Sequence, residues 1–399
     1  MLKMIDVDQA LSLVLEHAAP RAAQTVPIAQ SLGCVLAEEI RADRDYPPFD
    51  RAMMDGFAAR VADAGKRVKI VGELAAGAET DRKLTDGLAF EIMTGAPCPA
   101  GTQAVAPVED VRREGDQVEL PPALRVGNHV APRGSECRAG ATVLPAGALV
   151  TPLALANLAM FGRETVRVIA RPALAIITTG GELCPPGETP SGSRIRNSNG
   201  PMLAAMAGLA GIARVGLAHA ADVEAELLDR LGAQADADIV VLSGGVSAGK
   251  YDIVPHVLEA HGVELIFHKA KQKPGKPILF GKKGTRLFFG LPGTPQGAYL
   301  GFNRYVRAAI ARMSGLPWAR PVFQGRLVAP LASKGDRFQF ILARVRFTEQ
   351  GWEVEPTPGQ GSSDIYAPAS ANAYIRLPGG SLSLDRGEIV SFEPIGDVA

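Results

Sequence analysis

The chain has 399 residues, with 42 basic and 42 acidic side chains and no formal net charge. Apolar residues make up 47% and charged residues 21%, the balance of an ordinary soluble globular protein. At very roughly one domain per 150 residues, two to four domains are expected, and a chain this long buries enough core to need no disulfide or metal staple. The cancelled charge argues against nucleic acid or an anionic membrane as the main partner, because such proteins carry a basic surplus. The four cysteines, Cys34, Cys98, Cys137 and Cys184, form no C-x-x-C pair. A zinc ribbon, an iron–sulfur cluster and a secreted disulfide scaffold are therefore not expected. The N-terminus carries acids where a signal peptide needs an apolar run. The uncharged stretch 139–162 is broken by Pro145 and Pro152, so it reads as strand, turn and helix rather than a membrane span. A cytoplasmic location is expected.

In chain order, Val7, Leu11, Val14, Leu15 and Ala18 recur at helical spacing. Asp6 is placed to cap that helix, Gln9 to complete a capping box, and Pro20 to end it. From Tyr46-Pro47-Pro48 to about residue 140 the texture changes to short strand-like runs, at 68–71, 90–93 and 104–108, cut by Gly and Pro. That spacing reads as a small β domain. Residues 141–170 return to a strand and a helix that could pack back on the first helix, making the β region an insertion. From 171 to about 315 the pattern is β-α-β, with a continuous apolar run at 173–177, as in a strand buried on both faces. Pro201 suits the first turn of a helix reaching residues 208–211. Further strands are expected at 238–242, 263–267 and 286–289. The alternation predicts a doubly wound, mostly parallel α/β sheet. Short strands return after Pro317. The expected organisation is a split N-terminal α+β domain (1–43 plus 140–170), an inserted β domain (44–139), a central α/β domain (171–318) and a C-terminal β-barrel-like domain (319–399).

Ligands of an open parallel sheet bind beyond the carboxyl ends of its strands. Three glycine-containing loops follow strands directly. They are Thr178-Thr179-Gly180-Gly181-Glu182, Ser243-Gly244-Gly245-Val246-Ser247-Ala248-Gly249 and Gly290-Leu291-Pro292-Gly293-Thr294-Pro295. Glycine lets backbone N–H groups approach an oxyanion, and hydroxyls add donors. One such turn also serves plain chain reversal; three at strand ends of one sheet point to an anion cradle. Glu182, Asp222 and Asp252 supply carboxylates there, suited to Mg²⁺ or to handling water. Asp222 and Asp252 equally suit helix N-caps. Lys269, Lys271 and Lys273 would share one face of a strand, which suits either a solvated edge or anion binding. The six histidines show no pair at ligand spacing, and neither G-x-S-x-G nor a P-loop opens a helix. The residues alone thus reach an Mg²⁺-assisted transfer or hydrolysis on a phosphorylated or oxyanionic ligand.

Ser243-Gly244-Gly245-Val246-Ser247-x-Gly249-x-x-Asp252, Lys273-Pro274-Gly275-Lys276-Pro277 and Gly290-Leu291-Pro292-Gly293-x-Pro295 together resemble the molybdopterin-binding domain of the MoeA-type molybdopterin molybdenumtransferases. Outside that domain, Met53-Met54-Asp55-Gly56-Phe57 and Ile92-Met93-Thr94-Gly95-Ala96-Pro97 resemble two further segments of the family, in the family's order. The resemblance implies insertion of molybdate into adenylylated molybdopterin with Mg²⁺-dependent release of AMP, in an elongated homodimer of four-domain subunits. It implies Asp252, Glu182, Asp222, Lys269 and Lys273 as catalytic residues, with Asp222 and Asp252 at Mg²⁺. Ser243, Gly244, Gly245, Ser247, Gly249, Lys276, Pro277, Pro292, Gly293, Thr294 and Pro295 would hold substrate. The partner's Asp55, Thr94 and Glu136 would join them, and Arg344 and Ser362 match a pair that binds molybdate. A molybdopterin adenylyltransferase and apo-molybdoenzymes are implied as neighbours in the pathway.

The sequence also departs from the family. Gly181 stands where an acid is usual, Thr294-Pro295-Gln296-Gly297 replaces N-P-V-S, Glu136 replaces Asp, and Lys271 replaces a small or apolar residue. These changes motivate an alternative, a non-catalytic paralogue that delivers molybdopterin or finished cofactor to an apo-enzyme. An adenylyltransferase is a third reading, disfavoured by the extra domains on both sides.

Overall fold

A computed structural model of the chain describes residues 1–246 and 253–396. Ser247, Gly249 and Asp252 lie outside the described residues. The chain divides into two compact units. One comprises Met1–Gln24, Gly33–Val35 and Val168–Ala399; the other comprises Thr25–Leu32 and Leu36–Arg167.

The larger unit is built on a seven-stranded sheet. Its elements are β1 (Leu2–Ile5), α1 (Val7–His17), β2 (Leu174–Thr179), α2 (Asn199–Leu209), β3 (Val215–Ala220), α3 (Glu224–Ala233) and β4 (Ile239–Ser243). They continue with α4 (Val254–Ala260), β5 (Glu264–Ala270), β6 (Leu279–Lys283), β7 (Arg286–Leu291), α5 (Pro295–Gly301) and α6 (Arg307–Met313). The strand order is β1-β5-β6-β7-β4-β2-β3. Only β6 runs antiparallel to its neighbours, so the sheet is doubly wound and mostly parallel as expected. Alternation sorts the side chains. Leu174, Ile176, Ile239, Val241 and Phe289 face α1, α2, α5 and α6. Ala175, Ile177, Val240, Leu242 and Phe288 face α3 and α4. Both faces are covered, and each fully buried Val, Leu, Ile or Phe among them contributes roughly 1.5–3 kcal/mol.

The first helix lies in the larger unit. Its Ala10, Val14 and Ala18 are buried in the α/β core, and β1 ahead of it pairs parallel with β5. Asp6 sits at the N-cap without a side-chain capping bond, because its carboxylate meets Lys271 Nζ at 3.3 Å.

The C-terminal strands Phe338–Thr348, Gly351–Pro356, Phe323–Leu327, Ile389–Pro394 and Ala373–Leu377 pair in that order and close on the first. This is a five-stranded barrel filled by Leu327, Val345, Val354, Ile375 and Phe392. Phe340, Leu342 and Tyr374 pack it on Val7 and Leu300 of the α/β region. Buried Glu393 reinforces the junction, meeting Arg304 at 3.3 Å, Arg376 at 3.1 Å and Arg320 at 3.7 Å.

The smaller unit carries a six-stranded sheet in the order Ala104–Pro107, Gly56–Ala59, Leu88–Ile92, Arg67–Leu74, Gln117–Glu119 and Arg112–Glu114. Gly56 is obligatory, since a Cβ there would lie 2.0 Å from Ala106 O. Ile40–Arg41 pairs with Thr142–Leu144, and the helix Pro152–Met160 is capped by Thr151 Oγ1, which accepts from Ala154 N–H at 3.2 Å.

Candidate active site

The carboxyl ends of β2, β4 and β7 are adjacent, and the loops that follow them line one cleft of about 1080 Å³. Gly244 has φ +106°, and a Cβ on it would lie 2.5 Å from Thr179 O and 2.6 Å from Thr179 Oγ1. Glycine is thus required for two strand ends to approach. Gly245 follows with φ +61°. Gly293, Thr294 and Pro292 complete this wall.

Of the expected site residues, Glu182, Asp222, Gly244, Gly245, Lys273, Lys276, Pro277, Pro292, Gly293, Thr294 and Ser362 line the cleft. The Glu182 carboxylate folds over Gly180, where an added Cβ would meet it at 2.7 Å. Asp222 is exposed and is not the cap of α3. Val223 holds the cap position, and the Glu226 carboxylate accepts from Ala221 N–H at 3.1 Å. Ser243 and Pro295 line an adjoining cavity of about 90 Å³ with Glu182 and Asn199. The Ser243 hydroxyl is committed to the fold, donating to Pro292 O at 3.2 Å and accepting from Asn199 Nδ2 at 2.9 Å.

The lysine run does not form one face. Lys269 has φ +79°, which breaks the strand alternation, and it does not line the cleft. Lys271 turns to Asp6. Gln272 is fully buried, accepting from Tyr305 O–H at 2.6 Å and donating to Pro274 O and Gly275 O at 3.3 and 3.2 Å. Burial pushes the Tyr305 phenol well up, so its proton stays available for that bond. The segment Gln272–Lys273 pairs parallel with Phe338 and Gln339 at the start of a barrel strand, which holds Lys273 at the cleft. On the barrel side, Arg344 is exposed, opposite Glu355, and does not line the cleft; Arg337 does, with its guanidinium donating to Gln272 O at 3.2 Å.

Sequence reasoning missed Arg337 and the segment that opens α2. Asn199 Nδ2 donates to Ser243 Oγ and to Gly293 O, both at 2.9 Å, so one side chain ties two strand-end loops together. Asn197 Nδ2 donates to Thr178 Oγ1 at 2.8 Å. The signal was a run of amides and a hydroxyl just ahead of Pro201 at a helix start. Asn199 Oδ1 and Thr179 Oγ1 are buried without a hydrogen-bond partner. Buried polar atoms are normally satisfied, and these two orphans, Thr179 on the cleft and Asn199 on the adjoining cavity, suit a polar ligand.

In the smaller unit, Asp55 Oδ1 accepts from Thr94 N–H and from Thr94 Oγ1–H, both at 2.7 Å. The backbone bond from Thr94, and then its side-chain bond, hold the Asp55 carboxyl below the usual range. Glu136 meets Arg51 at 2.6 Å. Ala52 N–H donates to Ala96 O at 3.0 Å and Gly95 N–H to Ala52 O at 2.9 Å, so the turns bearing Asp55 and Thr94 are fixed to one another.

Comparison with known proteins covers nearly the whole chain. Residues 5–162 match the MoeA N-terminal region (domain I and II), 175–312 a probable molybdopterin binding domain, and 324–395 the MoeA C-terminal region (domain IV). The chain is 32% identical to a molybdopterin molybdenumtransferase of Staphylococcus aureus over 97% of its own length and 94% of that protein. It is 30% identical to the corresponding protein of Staphylococcus epidermidis over the same shares. A molybdopterin biosynthesis MoeA protein from Pyrococcus horikoshii superposes with a TM-score of 0.79 at 28% identity, covering 98% of this chain and 100% of that one. With a mostly parallel α/β sheet, a closed barrel and a full-length match of this kind, the chain belongs to the MoeA family of molybdopterin molybdenumtransferases.

Proposed function

We propose that this protein inserts molybdate into adenylylated molybdopterin and releases AMP and molybdenum cofactor in an Mg²⁺-dependent reaction. The observation that carries the reading is the convergence of the glycine loops of β2, β4 and β7 with Lys273, Lys276 and Arg337 on one cleft of about 1080 Å³. That volume lies at the large end for ligand sites, as a pterin joined to a nucleotide requires.

Both substrates are anionic. Lys273, Lys276 and Arg337 offset their charge, and backbone N–H groups of the glycine loops add fixed donors. Bare carboxylates would repel a diphosphate, so Glu182 and Asp222 need a cation or water between them and it. Among the described residues no group of three or more His, Cys, Asp or Glu side chains is arranged to hold a metal. The exposed carboxylate of Asp222 on the cleft nevertheless fits Mg²⁺, which is commonly bound by one or two carboxylates with phosphate and water completing the octahedron. Asp222 and Asp252 would hold it, and it would supply charge neutralisation as the phosphoanhydride breaks. Glu182 would orient water. A cytoplasmic homodimer belongs to this reading, with the partner's Asp55, Thr94 and Glu136 completing the substrate contacts.

The test is AMP release from adenylylated molybdopterin by the wild type and by Asp252→Asn. The reading predicts turnover in the wild type, and AMP release slowed at least a hundredfold in the variant with its melting temperature unchanged. Wild-type turnover in Asp252→Asn would remove that residue from the mechanism. One observation favours the carrier reading. A Cβ at Gly181 would meet nothing within 4 Å, so crowding at the Cβ does not explain the glycine there. Tight pterin binding without AMP would select that reading.

A further inference from the structure

We propose that Gln296 is a positioning residue that latches the loop bearing Ser362 onto the cleft and thereby sets the affinity for the oxyanion substrate. The proposal rests on the function above and concerns a residue at which this chain departs from its family.

Gln296 lies in the first turn of α5, directly after the Pro292–Pro295 loop, and is only 8% exposed. Its Nε2 donates to Gly361 O at 3.0 Å and to Asp364 O at 2.5 Å. Its own N–H donates to Ser362 O at 3.0 Å. Three hydrogen bonds therefore run from one residue of the α/β region to one loop of the barrel. The loop is ordered from inside as well. Asp364 Oδ2 accepts from Gln360 N–H at 2.9 Å, and Oδ1 accepts from Tyr366 N–H at 2.9 Å and Ala367 N–H at 3.2 Å. With its carboxylate turned inward and its carbonyl held by Gln296, the turn leaves Gln360, Gly361 and Ser362 on the lining of the cleft that Lys276 and Arg337 also line. A cleft that offers a hydroxyl and two cations suits a small oxyanion. An apolar residue at 296 could retain only the backbone bond. The carbonyls of Gly361 and Asp364 would then lose their donor, and the loop would sample positions that withdraw Ser362.

The experiment uses the full chain and Gln296→Met, which keeps the length and loses the donor, with Gln296→Glu as a second variant that sets a carboxylate against the same two carbonyls. Sodium molybdate affinity is measured by calorimetry, and amide exchange is followed over residues 359–367. The latch predicts molybdate binding weakened at least tenfold in both variants, more in Gln296→Glu, and exchange at Gln360, Tyr366 and Ala367 at least tenfold faster. Where turnover is measured, KM for molybdate rises while kcat changes less than threefold, and pterin affinity is unmoved. Unchanged molybdate affinity or unchanged exchange in Gln296→Met overturns the proposal, as does a wild type that binds no molybdate. Absence of AMP release by a wild type that binds molybdate refutes the transferase reading alone, and the two variants still decide the latch.

Discussion

Replacing Gly244 by alanine tests whether the cleft depends on two strand ends meeting without a side chain between them. At φ +106° an L-residue is strained, and its Cβ would sit 2.5 Å from a backbone oxygen of Thr179. Neither β2 nor β4 can retreat cheaply, because every residue of both strands is buried. Backbone strain of about 1–3 kcal/mol and overpacking of about 1–3 kcal/mol together give roughly 2–6 kcal/mol. The least costly relief is to move the Gly244–Gly245 turn outward, which opens the wall that meets the ligand. Molybdopterin affinity by calorimetry and unfolding in denaturant are the assays. The account predicts binding weakened at least tenfold, about 1.4 kcal/mol, together with a lower unfolding midpoint. Gly181→Ala is the control. Its φ is not left-handed and a Cβ meets nothing, so stability should hold or rise by about 0.4–1 kcal/mol. Wild-type affinity and stability in Gly244→Ala would refute the argument that glycine is required there.

Two other outcomes follow from the geometry. Glu393→Ala leaves Arg304, Arg320 and Arg376 facing one another in the junction between barrel and helices, and breaking a buried ionic group of this kind costs about 3–5 kcal/mol. Denaturant unfolding reads it directly, and a loss below 1 kcal/mol would mean that the arginines find other partners. Thr94→Val removes one of the two bonds that depress the Asp55 carboxyl, so its pKa should rise toward 3.8 in an NMR titration. A depressed carboxyl stabilises the fold above its unfolded pKa and loses that contribution as pH falls through the folded value. The variant should therefore be less stable than the wild type above about pH 4 and converge on it as the pH falls further, and an unmoved Asp55 titration would contradict the hydrogen-bond assignment.

The strand ends were legible because a buried parallel strand carries an apolar run, and 173–177, 238–242 and 286–289 each lead into a glycine-containing loop. β3 was not, since Gly216 and His219 interrupt an edge strand that is only half buried. β6 follows Pro277 closely and ends in Lys282-Lys283, which hides a strand whose Leu279, Phe280 and Gly281 are buried. Alternation misled at the lysines, because Lys269 adopts a left-handed backbone and the barrel captures Gln272–Lys273. Both are tertiary effects that spacing does not carry. Arg344 lies on the same barrel strand as the cleft-lining residues Phe340, Ile341 and Leu342, but six residues before it Phe338 opens that strand, and Arg337 just ahead is the arginine that reaches the cleft. Asn199 carries no periodic signal at all; its importance is visible only once Ser243 and Gly293 are seen to share its amide.

The most direct test of the central claim follows AMP and metal-loaded cofactor together while molybdate is titrated against adenylylated molybdopterin and Mg²⁺. The account predicts that both products appear in equal amounts and saturate with molybdate. Tight pterin binding with neither product at any molybdate concentration would contradict it.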